Sequence, residues 1–339
     1  MSLIKAQDNI NQVTVSSIEK SLIKPIKRVS DLSAPIMLLE GHKAEVFTLA
    51  FSPNGRTLAS GGFDQDIYLW ESTGACNNTQ IIKGHSGAIL QISFTRDNSA
   101  LFSVSTDKTC GLWDVETGAR KKKWKSHSGI INTGDVSKRG SEIFMSGGDD
   151  GLIFFWEERS KNPIKSLKTQ YPVLCSSFSL DSLSAFTSGV ENEILVWDLR
   201  ADSLINKLCG HLDTVTGLKI SPDGDSLLSF SMDDTLKIWD IKPFSTCGET
   251  RLITTLPGAP HGYEKNLIRP CWSPDSDFVA TGCGDRSVMV WNVENSRLCY
   301  KLPGHKGTVN QVDWCGNILA SASSDRNLFL GELNLQEVR

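Results

Sequence analysis

DKTCGLWD, residues 107–114, is the stretch that decides how this chain folds. It opens on an acid, passes through an apolar alternation and ends on Trp-Asp. DQDIYLWE (64–71), DGLIFFWE (150–157), ENEILVWD (191–198), DDTLKIWD (233–240), DRSVMVWN (285–292) and DRNLFLGE (325–332) repeat it. The tryptophans of the first six copies lie 43, 43, 41, 42 and 52 residues apart, and Gly331 stands where a seventh is due. Four residues before each leading acid is a hydroxyl, from Ser60 in the first copy to Ser321 in the last. About 28 residues before the tryptophan is a histidine, usually after glycine, and all six histidines of the chain fall in this register.

Around each octamer lie four short runs of period-two alternation. They are broken by turn residues such as SPNG (52–55), SPDG (221–224) and SPDS (273–276). Such a unit reads as a four-stranded antiparallel blade. Seven blades of about 43 residues need about 300 residues, and 33–339 supplies 307. The last copy stops after NLFLGEL (327–333) without an outer strand, whereas PIMLLE (35–40) is a strand without a blade. The N-terminal strand is therefore expected to complete the last blade. That pairing closes the ring and leaves no long open edge.

Gly-His and Trp-Asp marks at this period resemble the WD-repeat family. The resemblance implies an all-β, seven-bladed β-propeller. It also implies a hydrogen-bonded chain of His, Ser/Thr, Asp and Trp inside each blade. The complete sets are expected to be His42, Ser60, Asp64, Trp70; His85, Ser103, Asp107, Trp113; His127, Ser146, Asp150, Trp156; His211, Ser229, Asp233, Trp239; and His261, Thr281, Asp285, Trp291. Blade seven offers His305, Ser321 and Asp325 without a tryptophan. Blade four has TQYP (169–172) in place of a histidine and Glu191 in place of an aspartate, and is expected to be locally the softest. An indole N–H, a hydroxyl, an imidazole and a carboxylate can satisfy one another in turn, so none is stranded on burial. A Ser-His-Asp hydrolase is the competing reading. It needs one activated hydroxyl with an oxyanion hole, whereas the same set recurs around the ring.

Composition is that of a globular protein: 39% hydrophobic, 22% charged, mean hydropathy -0.19. The net charge of -4 gives no overall pull toward nucleic acid or acidic membranes. No apolar run is long enough for a membrane helix, and MSLIKAQDNINQ (1–12) lacks the apolar core of a signal peptide. The nine cysteines never form C-x-x-C. They read as small apolar residues in a reducing compartment, with neither metal nor other cofactor expected.

Residues 1–32 are expected to form a flexible or partner-bound extension ahead of the propeller at 33–339, and basic residues prevail in it. Lys121, Lys122 and Lys123 lie in a second basic run. A lysine-protected edge strand explains that run, with phosphate contact as the sharper alternative. Pro243–Asn266 holds about ten extra residues, expected to lengthen blade six. Phe63, Val190 and Met232 precede turn acids and are expected on one rim as partner-surface candidates.

Longer stretches go further. SAPIMLLEGH (33–42), ENEILVWDLR (191–200), EKNLIRPCWSPD (264–275), YKLPGHKGTVNQVDW (300–314) and SASSDRNLFLGEL (321–333) resemble the family of forty-kilodalton WD-repeat subunits of the U5 small nuclear ribonucleoprotein. The resemblance implies a non-catalytic nuclear scaffold in pre-mRNA splicing. Its partners would be spliceosomal proteins, chiefly the large U5 scaffold protein, with RNA-backbone contact open to the basic segments. Neither a membrane nor a small-molecule substrate is implied. Two alternatives remain from the residues themselves. Trp197-Asp198-Leu199-Arg200 fits the W-D-x-R motif of cullin-RING ubiquitin-ligase substrate receptors, with Arg200 as its contact residue, and a generic signalling scaffold would look alike.

Overall fold

The computed structural model describes residues 28, 30–243 and 250–334. Within them every regular element is a strand, and the strands form seven four-stranded antiparallel sheets. Blade one spans 46–82, blade two 89–124, blade three 131–168, blade four 173–209, blade five 215–257 and blade six 271–303. Blade seven takes three strands from 309–332 and its outer strand, Ile36–Leu39, from the other end of the chain. Successive first strands neighbour one another around a central channel, and Val309–Cys315 meets Val46–Phe51 to close the circle.

Burial follows from this stacking. The second strands, such as Ala100–Ser105 and Phe278–Gly282, are buried along their whole length, because each face of a blade packs on a neighbour. The outer strands keep the alternation: Arg120–Trp124 buries only Trp124. Each core cluster therefore belongs to an interface between blades. Phe102, Leu112 and Trp124 of blade two meet Phe144, Phe154 and Trp156 of blade three, with the rings of Trp124 and Trp156 centred 5.7 Å apart.

The closing strand pairs antiparallel with Leu328–Glu332, matching Ile36 to Gly331 and Leu39 to Leu328. The segment before it is tied to both flanking blades. Arg28 Nε donates to Glu332 at 2.7 Å, and Ser33 N donates to the Gly74 carbonyl of blade one at 2.8 Å. The rest of the extension expected over 1–32, residues 1–27 and 29, lies outside the described residues.

The expected lengthening of blade six is corrected. Pro243–Asn266 begins in the hairpin of blade five between Thr235–Asp240 and Leu252–Pro257, and only its later part leads into blade six. Residues 244–249 of it lie outside the described residues. The outer strand belongs to blade five because Leu256, fully buried, registers opposite Leu236. The spacing between tryptophans cannot distinguish a long hairpin from a long connection.

Arg269 enters across the channel mouth. Its two terminal nitrogens donate to the carbonyls of Leu90 and Asn132, each at 2.8 Å, in blades two and three. Burial pushes its pKa down to about 10. Carbonyl dipoles thus balance a desolvated cation and tie blade six across the ring.

Candidate functional site

Four blades build the full polar chain. In blade one the Trp70 indole donates to Ser60 Oγ at 2.9 Å, His42 Nε2 lies 2.7 Å from the same oxygen, and His42 Nδ1 lies 2.7 Å from Asp64. Blade two repeats this through Trp113, Ser103, His85 and Asp107 at 2.7, 2.8 and 3.1 Å. Blades three and five do so through Trp156, Ser146, His127 and Asp150, and through Trp239, Ser229, His211 and Asp233. A carboxylate only accepts, so Nδ1 carries the proton and Nε2 of the neutral ring accepts from the hydroxyl. The hydroxyl oxygen then accepts from the indole. Each aspartate also takes the backbone N–H after its histidine, as Ser86 N does with Asp107 at 3.1 Å. The second oxygen of Asp107 accepts from Thr109 N at 3.0 Å and holds the tight turn in which Lys108 adopts φ 64°.

These serines are fully buried and saturated. The Oγ that a hydrolase would aim at a substrate is held between an indole and an imidazole, with no open space beside it.

The set expected in blade six is not assembled, which corrects the sequence reading. Both ring nitrogens of His261 are buried without a partner, and Thr281 donates to the Gly282 carbonyl at 3.1 Å. Asp285 pairs with Lys301 at 2.6 Å instead. His261 precedes its acid by 24 residues, against 20 to 23 in the blades that form the pairing, and its imidazole lies on Phe230 of blade five instead, where the rings stack 5.4 Å apart. Blade four keeps only the bond from Trp197 to Thr187, at 2.8 Å, and Thr169 ties its own loop to Gly151 and Tyr171. Amide hydrogen exchange is expected to be faster in blades four and six than in blades one, two, three and five. Equal protection of all blades would contradict this.

Ionisation links the sets to pH. Burial opposes the charge on Asp107 and Asp233, but hydrogen bonds from the histidine, from a threonine hydroxyl and from the backbone outweigh it. Both carboxyls titrate well below the usual range. Burial pushes the His127 and His305 imidazoles down despite the facing carboxylates. In every case the unfolded chain binds more protons than the fold, so stability rises with pH. Thermal midpoints are expected to be highest above about pH 6.5, to fall below it as these histidines favour unfolding, and to fall further below about pH 4. Melting curves from pH 4 to 8 test this, and a midpoint that rises on acidification would contradict it.

The rim candidates occupy one face. Phe63 is 64% exposed, Val190 is 48% exposed and Met232 is half-buried. Their loops lie beside those that lead into the first strands: Phe63 N donates to Glu45 O and Met232 N to Thr214 O. Sequence reading missed Leu212 and Tyr263, which are more exposed still, at 84% and 105%. Their signal was available, since each follows within two residues of a loop histidine. Arg200 is exposed at a turn between third and outer strands, which antiparallel pairing puts on the opposite face. Lys121 and Lys123 face Asp114 at 3.3 Å and Asp107 at 4.0 Å, and Lys122 is half-buried between them.

Among the described residues no three His, Cys, Asp or Glu side chains are grouped to hold a metal ion. The eight described cysteines are unpaired.

Known families match this architecture. The WD domain, G-beta repeat model matches residues 33–71, 76–114, 202–240, 253–292 and 296–330. The unmatched 115–201 holds blade three, the first three strands of blade four and the outer strand of blade two. The pre-mRNA-splicing factor cwf17 of Schizosaccharomyces pombe is 41% identical over 311 residues, covering 91% of both chains. The U5 small nuclear ribonucleoprotein 40 kDa protein of Dictyostelium discoideum is 40% identical over 97% of this chain and 93% of its own. Its Homo sapiens counterpart is 44% identical over 90% and 86%. With repeats matched over more than half its length and such identity from end to end of the ring, the chain belongs to the WD-repeat family and, within it, to the family of U5 small nuclear ribonucleoprotein 40 kDa proteins.

Proposed function

We propose that this protein is a scaffold subunit of the U5 small nuclear ribonucleoprotein, acting in pre-mRNA splicing in the nucleus through protein–protein contacts and catalysing no reaction. The observation that carries this reading is identity of 40–44% to proteins named for U5 and for splicing, over nearly their whole length and nearly all of this chain. The site chemistry agrees: the recurring serines of blades one, two, three and five are closed off, while apolar side chains stand exposed on one face. A rigid ring with loops on two faces can hold several partners at once.

The chief partner is the large U5 scaffold protein, held by the face that bears Phe63, Val190, Leu212 and Tyr263. Lys122 and its neighbours contact RNA backbone at the outer edge of blade two. Cross-linking the native particle tests both parts. Protein cross-links from that face and RNA cross-links near 120–125 are expected. Protein cross-links confined to the opposite face would overturn the first, and an absence of RNA cross-links in that run would overturn the second.

The exposure of Arg200 within W-D-L-R keeps a second reading, a cullin-RING substrate receptor. Arg200→Glu would then lose a ligase adaptor and leave splicing partners bound.

A further inference from the structure

Blade seven has a hole where the other blades have a tryptophan. Gly331 registers opposite Leu319, as Trp70 does opposite Leu58. A Cβ added at Gly331 would meet nothing within 4 Å. The space is a cavity of about 320 Å³, lined chiefly by Val288, Leu302, Leu319, Phe329 and Leu333, and it opens beside the exposed Ile36. Apolar cavities of about 150 Å³ are large enough to hold benzene.

The walls keep the features that hold an indole elsewhere in the ring. In blades two and five the glycine before the histidine packs on the tryptophan ring, its Cβ position 2.6 Å and 3.1 Å from the ring edge. Gly304 offers the same notch, and its nearest neighbour is Phe329 at 3.8 Å. In blade one Tyr68 stacks on Trp70, with ring centres 5.8 Å apart. Phe329 holds the place of Tyr68, edge-on to His305 at 4.6 Å, and presents its ring to the hole. Ser321 is the decisive group. It is 5% exposed and lines the cavity. His305 Nδ1 faces Asp325 at 3.0 Å, so Nε2 accepts the Ser321 proton at 2.8 Å. In five other blades the corresponding hydroxyl oxygen then accepts an indole N–H at 2.7–2.9 Å. The Ser321 oxygen has its proton committed and lone pairs to spare, and no indole reaches it.

We propose that this cavity is a receptor for the indole ring of a tryptophan carried by another protein. Residues 1–27, 29, 244–249 and 335–339, which lie outside the described residues, contain no tryptophan, so no segment of this sequence supplies that ring. A second copy cannot supply it either, because all nine tryptophans are buried in the blades. The inference rests on the reading of the ring as a protein-binding scaffold. Its test uses small molecules, so it can fail while the splicing assignment stands, and the reverse.

Calorimetric titration of the full chain with N-acetyl-L-tryptophanamide is expected to show one site. The 1-methylindole analogue, which lacks the N–H, should bind about tenfold more weakly, and N-acetyl-L-leucinamide weaker still. Gly331→Trp should fill the hole, raise the thermal midpoint and abolish binding. Ser321→Ala, a milder change, should bring the two indoles to equal affinity. Absence of binding at millimolar probe, an unchanged affinity in Gly331→Trp, or no preference for the N–H would each overturn the proposal. Tighter binding of free indole or free tryptophan than of the capped amide would overturn the protein partner and leave a small-molecule pocket.

Discussion

Leu39→Asp is expected to open the ring and lower unfolding stability by about 4 kcal/mol or more. Leu39 is 4% exposed and packs in one cluster with Leu32, Val46, Leu328 and Leu330, joining the closing strand to blades seven and one. Truncating a buried leucine costs about 2–5 kcal/mol, and a carboxylate without a partner in that space adds its desolvation. The larger effect is topological. Without the outer strand, Leu328–Glu332 becomes an unpaired edge, open to strand addition from another chain. Leu38→Asp is the control, because Leu38 lies next in the same strand and is 45% exposed. It should cost under about 1 kcal/mol. Urea unfolding of both variants measures the difference. Equal losses would mean that the strand is not a working part of blade seven.

Trp239→Ala is the second large effect, with an expected loss of about 3–5 kcal/mol. Trp239 is fully buried in the cluster that joins blades four and five, among Phe186, Leu208 and Leu218. Gly210 is shaped around its ring. The substitution removes this packing and strips the donor from Ser229. Trp239→Phe is the intermediate step, since it keeps an aromatic ring but loses the N–H and three ring atoms. Its cost should be about 1–3 kcal/mol, from a buried hydrogen-bonding group left without its donor and the smaller ring. If the phenylalanine variant is as damaged as the alanine one, the polar chain outweighs the packing. If both are silent, the interface between blades four and five carries little of the stability.

The ring was legible in the sequence because its cause is local and repeated. Each octamer carries its own turn acid, alternation and tryptophan, so seven noisy copies reinforce one reading. Closure was legible for a related reason: a blade short of a strand and a strand short of a blade can satisfy each other. His261 shows where this kind of reading fails. A histidine at nearly the right spacing looks like a member of the set, yet its ring stacks on Phe230. Spacings of 20 to 23 residues to the acid all form the bond, so spacing alone does not decide it. The surplus at Pro243–Asn266 was misplaced because two loops share one interval between tryptophans. Leu212 and Tyr263 escaped notice because exposure depends on how neighbouring loops stack, which no single repeat encodes. The absence of a tryptophan at Gly331 was plain in the sequence, but the open cavity and the available Ser321 oxygen were not.

Native purification tests most directly whether this propeller serves as a splicing scaffold. The tagged full-length chain, recovered from nuclear extract at moderate salt, is predicted to bring down U5 RNA together with spliceosomal proteins in near-constant proportion. Recovery of a cullin adaptor or of signalling proteins, with no U5 RNA and no spliceosomal protein, would contradict it.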